Sequence, residues 1–198
     1  MLKGEQLSFR YSPHHSWVLQ DFNIQIAPSE IVGLLGPSGF GKTTVGKLLA
    51  GYLAPTSGSV TVEGQPLPTR GSCPVQLVFQ HPELAMNPRW RIRQVLAEGQ
   101  SPAPELLQAL SIDSSWLSRW THELSGGELQ RIAVARSLNA HTRYLIADEM
   151  TAMLDANTQA LIWQAVLDYV RQHEIGMLVI SHEAPLLKRV CDRIIHIE

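Results

Sequence analysis

The chain has 198 residues, and 44% of them are apolar, which suits one globular domain with a buried core. Its 16 lysine and arginine residues stand against 18 aspartate and glutamate residues, so the net charge is -2 and the basic field that nucleic-acid binding usually requires is missing. The apolar runs are far shorter than the roughly 20 residues that span a bilayer.

Short apolar segments predict the strands of a buried sheet. In chain order they are Ile31 to Leu35, Leu77 to Phe79, Tyr144 to Ala147, Met177 to Ile180 and Ile194 to Ile197. Continuous apolar runs are typical of parallel strands that are covered on both faces. In Val18 to Ile26 and in Val60 to Val62, apolar and polar residues alternate instead, which indicates antiparallel strands with one solvent-exposed face. We therefore expect a mostly parallel sheet with antiparallel N-terminal edge strands.

Helical periodicity lies between these strands. One helix is predicted at Thr44 to Tyr52, and another is marked by Leu161, Ala165, Val166 and Tyr169. No buried strand is predicted from His81 to Leu138, where helices are expected at Val95 to Glu98, Glu105 to Leu110 and Glu128 to Leu138. The sequence thus predicts one α/β domain, with a nucleotide-binding core at 1–80 and 139–198 and a helical subdomain at 81–138.

A glycine-rich stretch follows the strand at Ile31 to Leu35. Gly36, Gly41, Lys42 and Thr43 fit the pattern G-x-x-x-x-G-K-[ST] between a strand and a helix, which is the context of a phosphate-binding P-loop. Backbone N–H groups would surround phosphate oxygens, Lys42 would reach the β- and γ-phosphates, and Thr43 would hold Mg²⁺. The alternative is a glycine turn that only begins a helix. The expected nucleotide-binding residues of this loop are Gly36, Pro37, Ser38, Gly39, Gly41, Lys42, Thr43 and Thr44.

Two acids follow the predicted strand at Tyr144 to Ala147. Open α/β sheets bind ligands at the carboxyl ends of their strands, so Asp148 and Glu149 are expected beside the P-loop. There Asp148 would help to hold Mg²⁺, and Glu149 would orient and deprotonate an attacking water molecule. Without the P-loop, two acids that merely open a loop would be the better interpretation.

A second glycine pair occurs in LSGGELQR, at Leu124 to Arg131. Ser125 and Glu128 form a capping box, so a purely structural role is one interpretation. Yet glycine at the first turn costs about 1 kcal/mol relative to alanine, which favours a site that another molecule approaches closely. A serine hydroxyl and free N–H groups at a helix start bind anions. Because it lies on the helical segment, this site is not expected to reach the chain's own P-loop.

LSGGE, with Gln130 and Arg131 after it, resembles the signature motif of ABC ATPases, and the resemblance covers nearly the whole chain. In that family the nucleotide lies between the P-loop of one subunit and the signature of another. The resemblance implies ATP and Mg²⁺ as ligands and a second ATPase subunit, identical or homologous, bound head to tail. It implies that the neighbour's ATP is bound by Ser125, Gly126, Gly127 and Glu128.

The resemblance also implies roles outside the two glycine motifs. Tyr11 matches the aromatic residue that stacks on adenine, Gln80 the glutamine that senses Mg²⁺ and the attacking water, and His182 the histidine that touches the γ-phosphate. Taken singly, each has a plainer interpretation: a packing aromatic, a strand-end cap and an ordinary loop histidine. The implied catalytic residues are Glu149, His182, Lys42 and Gln80. The implied metal ligands are Thr43, Gln80 and Asp148.

Two further stretches indicate the subfamily. VFQHPELAMNPR at Val78 to Arg89 resembles the FQDPxxSLNPR stretch of ATPases that drive oligopeptide, dipeptide and nickel importers, and RWTHELSGG at Arg119 to Gly127 resembles RYPHELSGG of the same group. In that group the first stretch faces membrane subunits. The resemblance implies integral membrane permease subunits as partners, an indirect link to a substrate-binding protein, no nucleic acid, and transport of peptides or nickel.

Some positions depart from the family pattern. His81, Ala85 and Met86 replace Asp, Ser and Leu, and Met150, Ala152 and Met153 alter the dimer-contact loop at Met150 to Asp155. Every element that contacts ATP is nevertheless present, so we expect an active ATPase.

Compartment and rival functions follow from simpler features. Met1 to Arg10 does not read as a secretory leader, and two cysteines without paired spacing indicate reduced thiols. We therefore expect a cytoplasmic protein, bound to the inner face of the membrane through permease subunits. The alternatives are a soluble ABC-type ATPase that acts on DNA or ribosomes and a nucleotide-binding regulator that does not hydrolyse ATP.

Overall fold

The structure, a computed structural model, describes residues 1–197, and Glu198, the last residue of the predicted core segment, lies outside them. In the described part of the chain the strands are β1 (Leu2–Phe9), β2 (Leu19–Ile26), β3 (Ile31–Leu35), β4 (Ser57–Val62), β5 (Gln65–Pro66), β6 (Val75–Val78), β7 (Tyr144–Asp148), β8 (Gly176–Ser181) and β9 (Arg193–His196). The α-helices are α1 (Lys42–Leu49), α2 (Ile92–Leu96), α3 (Pro104–Ala109), α4 (Gly126–Ser137), α5 (Ala156–Gln172) and α6 (Ala184–Val190).

The central sheet is parallel and has the strand order β6-β7-β8-β3-β9. Alternate residues of its strands point to opposite faces, so that Tyr144 and Ile146 pack with α1 while Leu145 and Ala147 pack with α4 and α5. Because hydrophobic clusters cover both faces, the strands carry continuous apolar runs.

The antiparallel strands form a sheet of their own, with the order β2-β1-β4-β5. Its inward residues, such as Leu2 and Leu7, join α1 and one face of the parallel sheet in a single hydrophobic cluster. Helix α1 therefore lies in the layer between the two sheets, and the P-loop at its start is held by packing on both sides.

The segment from 81 to 138 is helical, as the sequence predicts. Besides α2, α3 and α4 it contains short 3₁₀ turns at Pro82–Ala85, Ser114–Ser118 and Thr121–Glu123. Its buried residues belong to the same hydrophobic cluster as the outer face of the parallel sheet. Among residues 1–197, no helix has both the length and the apolar character needed to cross a membrane.

The predicted fold class is confirmed, with one correction to the sheet. The N-terminal strands do not form an edge of the parallel sheet, because β1 pairs with β2 on one side and with β4 on the other. The sequence did not reveal β1. Its pairing register shifts between Gly4 and Leu7, and Gln6 has a positive φ of 50°, so the alternation that marks a strand is interrupted.

Element boundaries differ from the prediction by a few residues, and α6 was not predicted. Strand β6 begins at Val75, which pairs with Tyr144, and it ends before Phe79, whose ring packs edge-on against Tyr52. Helix α1 begins and ends earlier than Thr44 to Tyr52, α2 earlier than Val95 to Glu98, and β9 one residue before Ile194 to Ile197.

Candidate nucleotide site

The P-loop connects the end of β3 to the start of α1. Backbone geometry explains why two of its positions are glycine. Gly41, directly before the helix, has a positive φ of 82°. At Gly36 a Cβ would lie only 2.5 Å from the carbonyl oxygen of Ile197. A left-handed residue at the helix start turns successive N–H groups towards the same point, which is the geometry of an anion-binding nest.

Lys42 places a buried positive charge inside this loop. The residue is only 6% exposed, and its Nζ donates hydrogen bonds of 2.7 Å to the carbonyl oxygens of Gly36 and Pro37. Among the described residues, no carboxylate oxygen lies within 4.0 Å of this ammonium group. A buried cation with only carbonyl partners favours an anionic ligand.

One cavity of about 400 Å³ brings most of the predicted site together. Its walls come from the P-loop, from the loop after β1, from the end of β6 and from the end of β7. The lining residues are Tyr11, Val18, Ser38, Gly39, Gly41, Lys42, Thr43, Thr44, Gln80 and Glu149. Tyr11 lies at the mouth, 61% exposed, with its ring against the edge of Phe9 at 5.0 Å between centroids.

Sequence reasoning missed Val18 as a lining residue. In the sequence, Val18 is only the first residue of an alternating segment. In the structure it also packs beside Gly41, where a Cβ would lie 3.2 Å from Val18 Cγ1. No local pattern marks such a wall, because it depends on how the residues at the start of β2 pack against Gly41.

Asp148 is the last residue of β7 and is 5% exposed. Burial raises its pKa above the ordinary value of 3.8, and the neighbouring charge of Glu149 raises it further. The Thr43 hydroxyl and the charges of Lys47 and Lys42 act in the opposite direction but do not cancel the effect of burial. Carboxylate and hydroxyl oxygens are ligands that Mg²⁺ prefers, so Asp148 and Thr43 fit that ion.

Glu149 has a strained backbone. Its φ is 47°, in the left-handed region that costs a residue with a side chain on the order of 1–3 kcal/mol. The strain is held by the hydrogen bond from its N–H to the Ile180 carbonyl and by the one that its carbonyl accepts from Ala152. The turn aims the carboxylate at His182, with 2.9 Å between Glu149 Oε1 and His182 Nδ1.

Gln80 follows β6 and lines the cavity together with Glu149. The backbone just before it is tied to the helical segment, because Gln130 Nε2 on α4 donates to the carbonyl of Phe79 at 3.2 Å. Gln130 is only 2% exposed, so this is a buried link between α4 and the wall of the cavity.

The predicted second anion site at the start of α4 does not join this cavity. Ser125 accepts a hydrogen bond from the N–H of Glu128, and the Glu128 carboxylate accepts one from Ser125, so the capping box is confirmed. The hydrogen bond from the Ser125 N–H lowers the pKa of the Glu128 carboxyl. A Cβ on Gly127 would lie 3.2 Å from Thr158 Cγ2, whereas at Gly126 nothing in the described chain lies within 4 Å.

Comparisons with known proteins agree with this geometry. A family model described as ABC transporter matches residues 19–152. A putative peptide import ATP-binding protein of Brucella ovis is 32% identical over 197 residues, which cover 90% of this chain and 62% of that protein. Another, from Brucella abortus, is 34% identical over 192 residues, 87% of this chain and 58% of the relative. The chain thus spans about three fifths of the length of these relatives.

A solved structure with the same fold is described as the dimeric structure of a bacterial ABC transporter cassette. It has a TM-score of 0.84 and 23% identity, and the match covers 100% of this chain and 94% of the other. At that identity the likeness establishes the fold.

The buried charge of Asp148 gives a pH-dependent prediction for the nucleotide-free, metal-free protein. Because its pKa is raised on folding, the folded chain binds more protons than the unfolded chain above pH 3.8, and stability is lost as the pH rises through the raised pKa. We expect Asp148→Asn to unfold at a higher urea concentration than the parent at pH 7.5, with the advantage shrinking towards pH 4.

Urea titrations at several pH values measure this difference. Asp168→Asn is the matched control, because it makes the same substitution at an exposed aspartate on α5. An Asp148→Asn protein that is less stable than the parent at pH 7.5 would contradict the assignment of a desolvation cost to this carboxylate.

Proposed function

The chain belongs to the ABC transporter family, and we propose that it is an ATP-hydrolysing subunit that powers the import of peptides. The observation that carries the proposal is the single cavity in which the P-loop, Tyr11, Gln80 and Glu149 meet. Each of these supplies a different requirement of ATP hydrolysis: phosphate binding, a surface for the base, a polar contact near the metal and a base for water.

Phosphate binding rests on the P-loop. Its backbone N–H groups and the N-terminus of α1 bind the β- and γ-phosphates, and the buried Lys42 ammonium neutralises their charge. The base stacks on the exposed ring of Tyr11, and the loop contacts come from the chain's own Gly36, Pro37, Ser38, Gly39, Gly41, Lys42, Thr43 and Thr44.

Thr43, Asp148 and Gln80 would hold Mg²⁺. The fit rests on the nearness of the Thr43 hydroxyl to the buried Asp148 carboxylate, which places oxygen ligands beside the P-loop. When bound, the ion neutralises charge that develops on the phosphate oxygens.

Hydrolysis is assigned to Glu149 as the base that takes a proton from the attacking water. Water oxygen bonds to the γ-phosphorus, the bond from that phosphorus to the β–γ bridging oxygen breaks, and ADP leaves with that oxygen. His182, hydrogen-bonded to Glu149, positions the carboxylate and contacts the γ-phosphate with Lys42. Catalysis is then mostly positioning and electrostatic stabilisation.

The second anion site completes the nucleotide of another copy of the fold. Ser125, Gly126, Gly127 and Glu128 are assigned to the γ-phosphate that the partner's P-loop binds, so residues 81–138 act as a signature subdomain and two domains close head to tail on two ATP molecules. The open space around Gly126 supports this assignment, because nothing in the described chain requires glycine there. The dimeric state of the similar cassette supports it as well.

Movement would pass to permease subunits through the surface that follows Gln80. A groove of about 790 Å³ lies there, and its lining includes Tyr52, Phe79, Leu84 and Met86. Leu84 is 81% exposed and Tyr52 is 58% exposed, so the groove carries an apolar patch of the kind that marks protein–protein contact sites. A permease helix in this groove would be coupled to the ATP site through Gln80. A substrate-binding protein would act only through the permease.

The names of the relatives support peptides rather than nickel as the substrate, since both concern peptide import. The rival function on DNA or ribosomes has no comparable support, because a net charge of -2 gives the chain no overall attraction to nucleic-acid phosphates.

The proposed role of Glu149 predicts that Glu149→Gln lowers ATP hydrolysis by roughly 100-fold or more, because a lost general base costs on the order of 10²–10⁴ in rate. ATP binding should remain. Phosphate release and ATP binding by calorimetry measure the two quantities separately. Glu174→Gln is the matched control: Glu174 is an exposed glutamate that also has a positive φ, of 54°. Hydrolysis by Glu149→Gln at the parent rate would refute the assignment.

The docking groove predicts that Leu84→Asp abolishes peptide uptake without lowering the ATP hydrolysis of the purified chain. An aspartate in an apolar interface costs more than about 1.4 kcal/mol, a tenfold loss of binding. Uptake of labelled tripeptides and of Ni²⁺ is compared in cells that express the parent, Leu84→Asp or the conservative Leu84→Met. Normal tripeptide uptake with Leu84→Asp would refute the groove as the permease docking site. A Leu84→Asp variant that loses Ni²⁺ uptake but keeps tripeptide uptake would refute peptides as the substrate.

A further inference from the structure

The loop between β1 and β2 carries Tyr11 on an otherwise exposed segment. The residue is 61% exposed, and its ring packs edge-on against Phe9. An aromatic side chain with so little packing samples several rotamers, and the loop beneath it samples several backbone conformations, unless other contacts restrict them. A stacking surface for a base therefore needs support from elsewhere in the loop.

Arg10 provides such a support by crossing the loop. Its guanidinium carbon lies 4.5 Å from the centroid of the Trp17 ring, and its Nη1 donates to the carbonyl of Pro13 at 2.8 Å. The backbone closes the same loop, because the N–H of Val18 donates to the carbonyl of Phe9 at 2.9 Å. Among the described residues, no carboxylate lies within 4.0 Å of Arg10, so the Trp17 ring and a carbonyl are what hold its charge.

Both ends of the loop are walls of the candidate nucleotide cavity. Tyr11 follows Arg10 and Val18 follows Trp17, and these two neighbours both line the cavity. Trp17 itself lines an adjoining hollow of about 580 Å³ that shares Val18 and Gly39 with the nucleotide cavity. The stack of Arg10 on Trp17 thus joins the neighbours of the two lining residues and restricts the distance between Tyr11 and Val18.

We propose that Arg10 and Trp17 are positioning residues, which fix the loop so that Tyr11 presents its ring to the base of the bound nucleotide. This inference rests on the proposed ATP-binding function. Neither residue touches the nucleotide: both act through Tyr11. In the cation–π stack, the Arg10 guanidinium and the Trp17 ring each restrict the side-chain conformation of the other, so both residues are needed to fix the loop.

The test compares two ligands, ATP and inorganic tripolyphosphate, each with Mg²⁺. Both can bind the P-loop, and only ATP carries a base. Base stacking on an aromatic residue is worth enough that its loss weakens binding by about fivefold or more, so we expect Trp17→Ala and Arg10→Gln to bind ATP about fivefold to tenfold more weakly by calorimetry. Tripolyphosphate should bind within about twofold of the parent, because the P-loop is unchanged.

Conservative and control variants separate positioning from a general structural role. Trp17→Phe and Arg10→Lys keep a ring under a cation and should restore most of the ATP affinity. Arg171→Gln, which changes an exposed arginine on α5, should bind both ligands as the parent does.

A double-mutant cycle with Tyr11 tests the route of action. If Trp17 acts through Tyr11, the double variant Tyr11→Ala, Trp17→Ala binds ATP no more weakly than Tyr11→Ala alone. Additive losses would overturn the inference, because Trp17 would then act independently of the ring.

Two other results overturn the inference, and one bears on the underlying function. Trp17→Ala and Arg10→Gln proteins that bind ATP like the parent would refute it, and so would equal weakening of ATP and tripolyphosphate. A parent protein that binds neither ligand would refute the proposed ATP-binding function itself, which is a distinguishable result.

Discussion

The proposed shared nucleotide site depends on the separation of two candidate anion-binding helix starts within one chain. A phosphate group is bound most strongly by several N–H donors and a neutralising cation, and the start of α1 with Lys42 supplies one set. The start of α4 at Ser125 supplies the other, but none of its residues line the cavity of the first. Two copies of the fold placed head to tail would bring one set from each to every nucleotide, and this assembly is our proposal.

Within one copy, the parallel sheet explains why so many predicted residues meet. Strands β6, β7, β8 and β3 are neighbours, and their carboxyl ends lie at one edge of the sheet. Gln80, Glu149, His182 and the P-loop each follow one of these strands. The strained turn at Glu149 and its hydrogen bond to His182 then turn a generic sheet edge into an arrangement that fits water activation.

The sequence predicted those parts of the fold whose cause is local. Ile31 to Leu35 was predicted residue for residue, because an uninterrupted apolar run ends at Gly36. Strand β1 was not predicted, because its irregular register around Gln6 interrupts the alternation of apolar and polar residues. Without β1, the antiparallel strands were assigned to an edge of the parallel sheet.

The parts of the site that the sequence did not predict depend on tertiary packing. The left-handed turn at Glu149 has no local signal, because glutamate is not typical of positive φ. The wall formed by Val18 and the stack of Arg10 on Trp17 arise where a loop folds back over the P-loop. The roles assigned to the site residues, from Tyr11 to His182, remain predictions from motif and resemblance.

The most direct test of the central claim is the oligomeric state of a chain that binds ATP but does not hydrolyse it. Sedimentation velocity of Glu149→Gln with ATP and Mg²⁺ should show a dimer, and adding Ser125→Arg to that variant should return a monomer that still binds ATP. A Glu149→Gln protein that stays monomeric at high concentration, with ATP bound at its own P-loop, would contradict the shared nucleotide site.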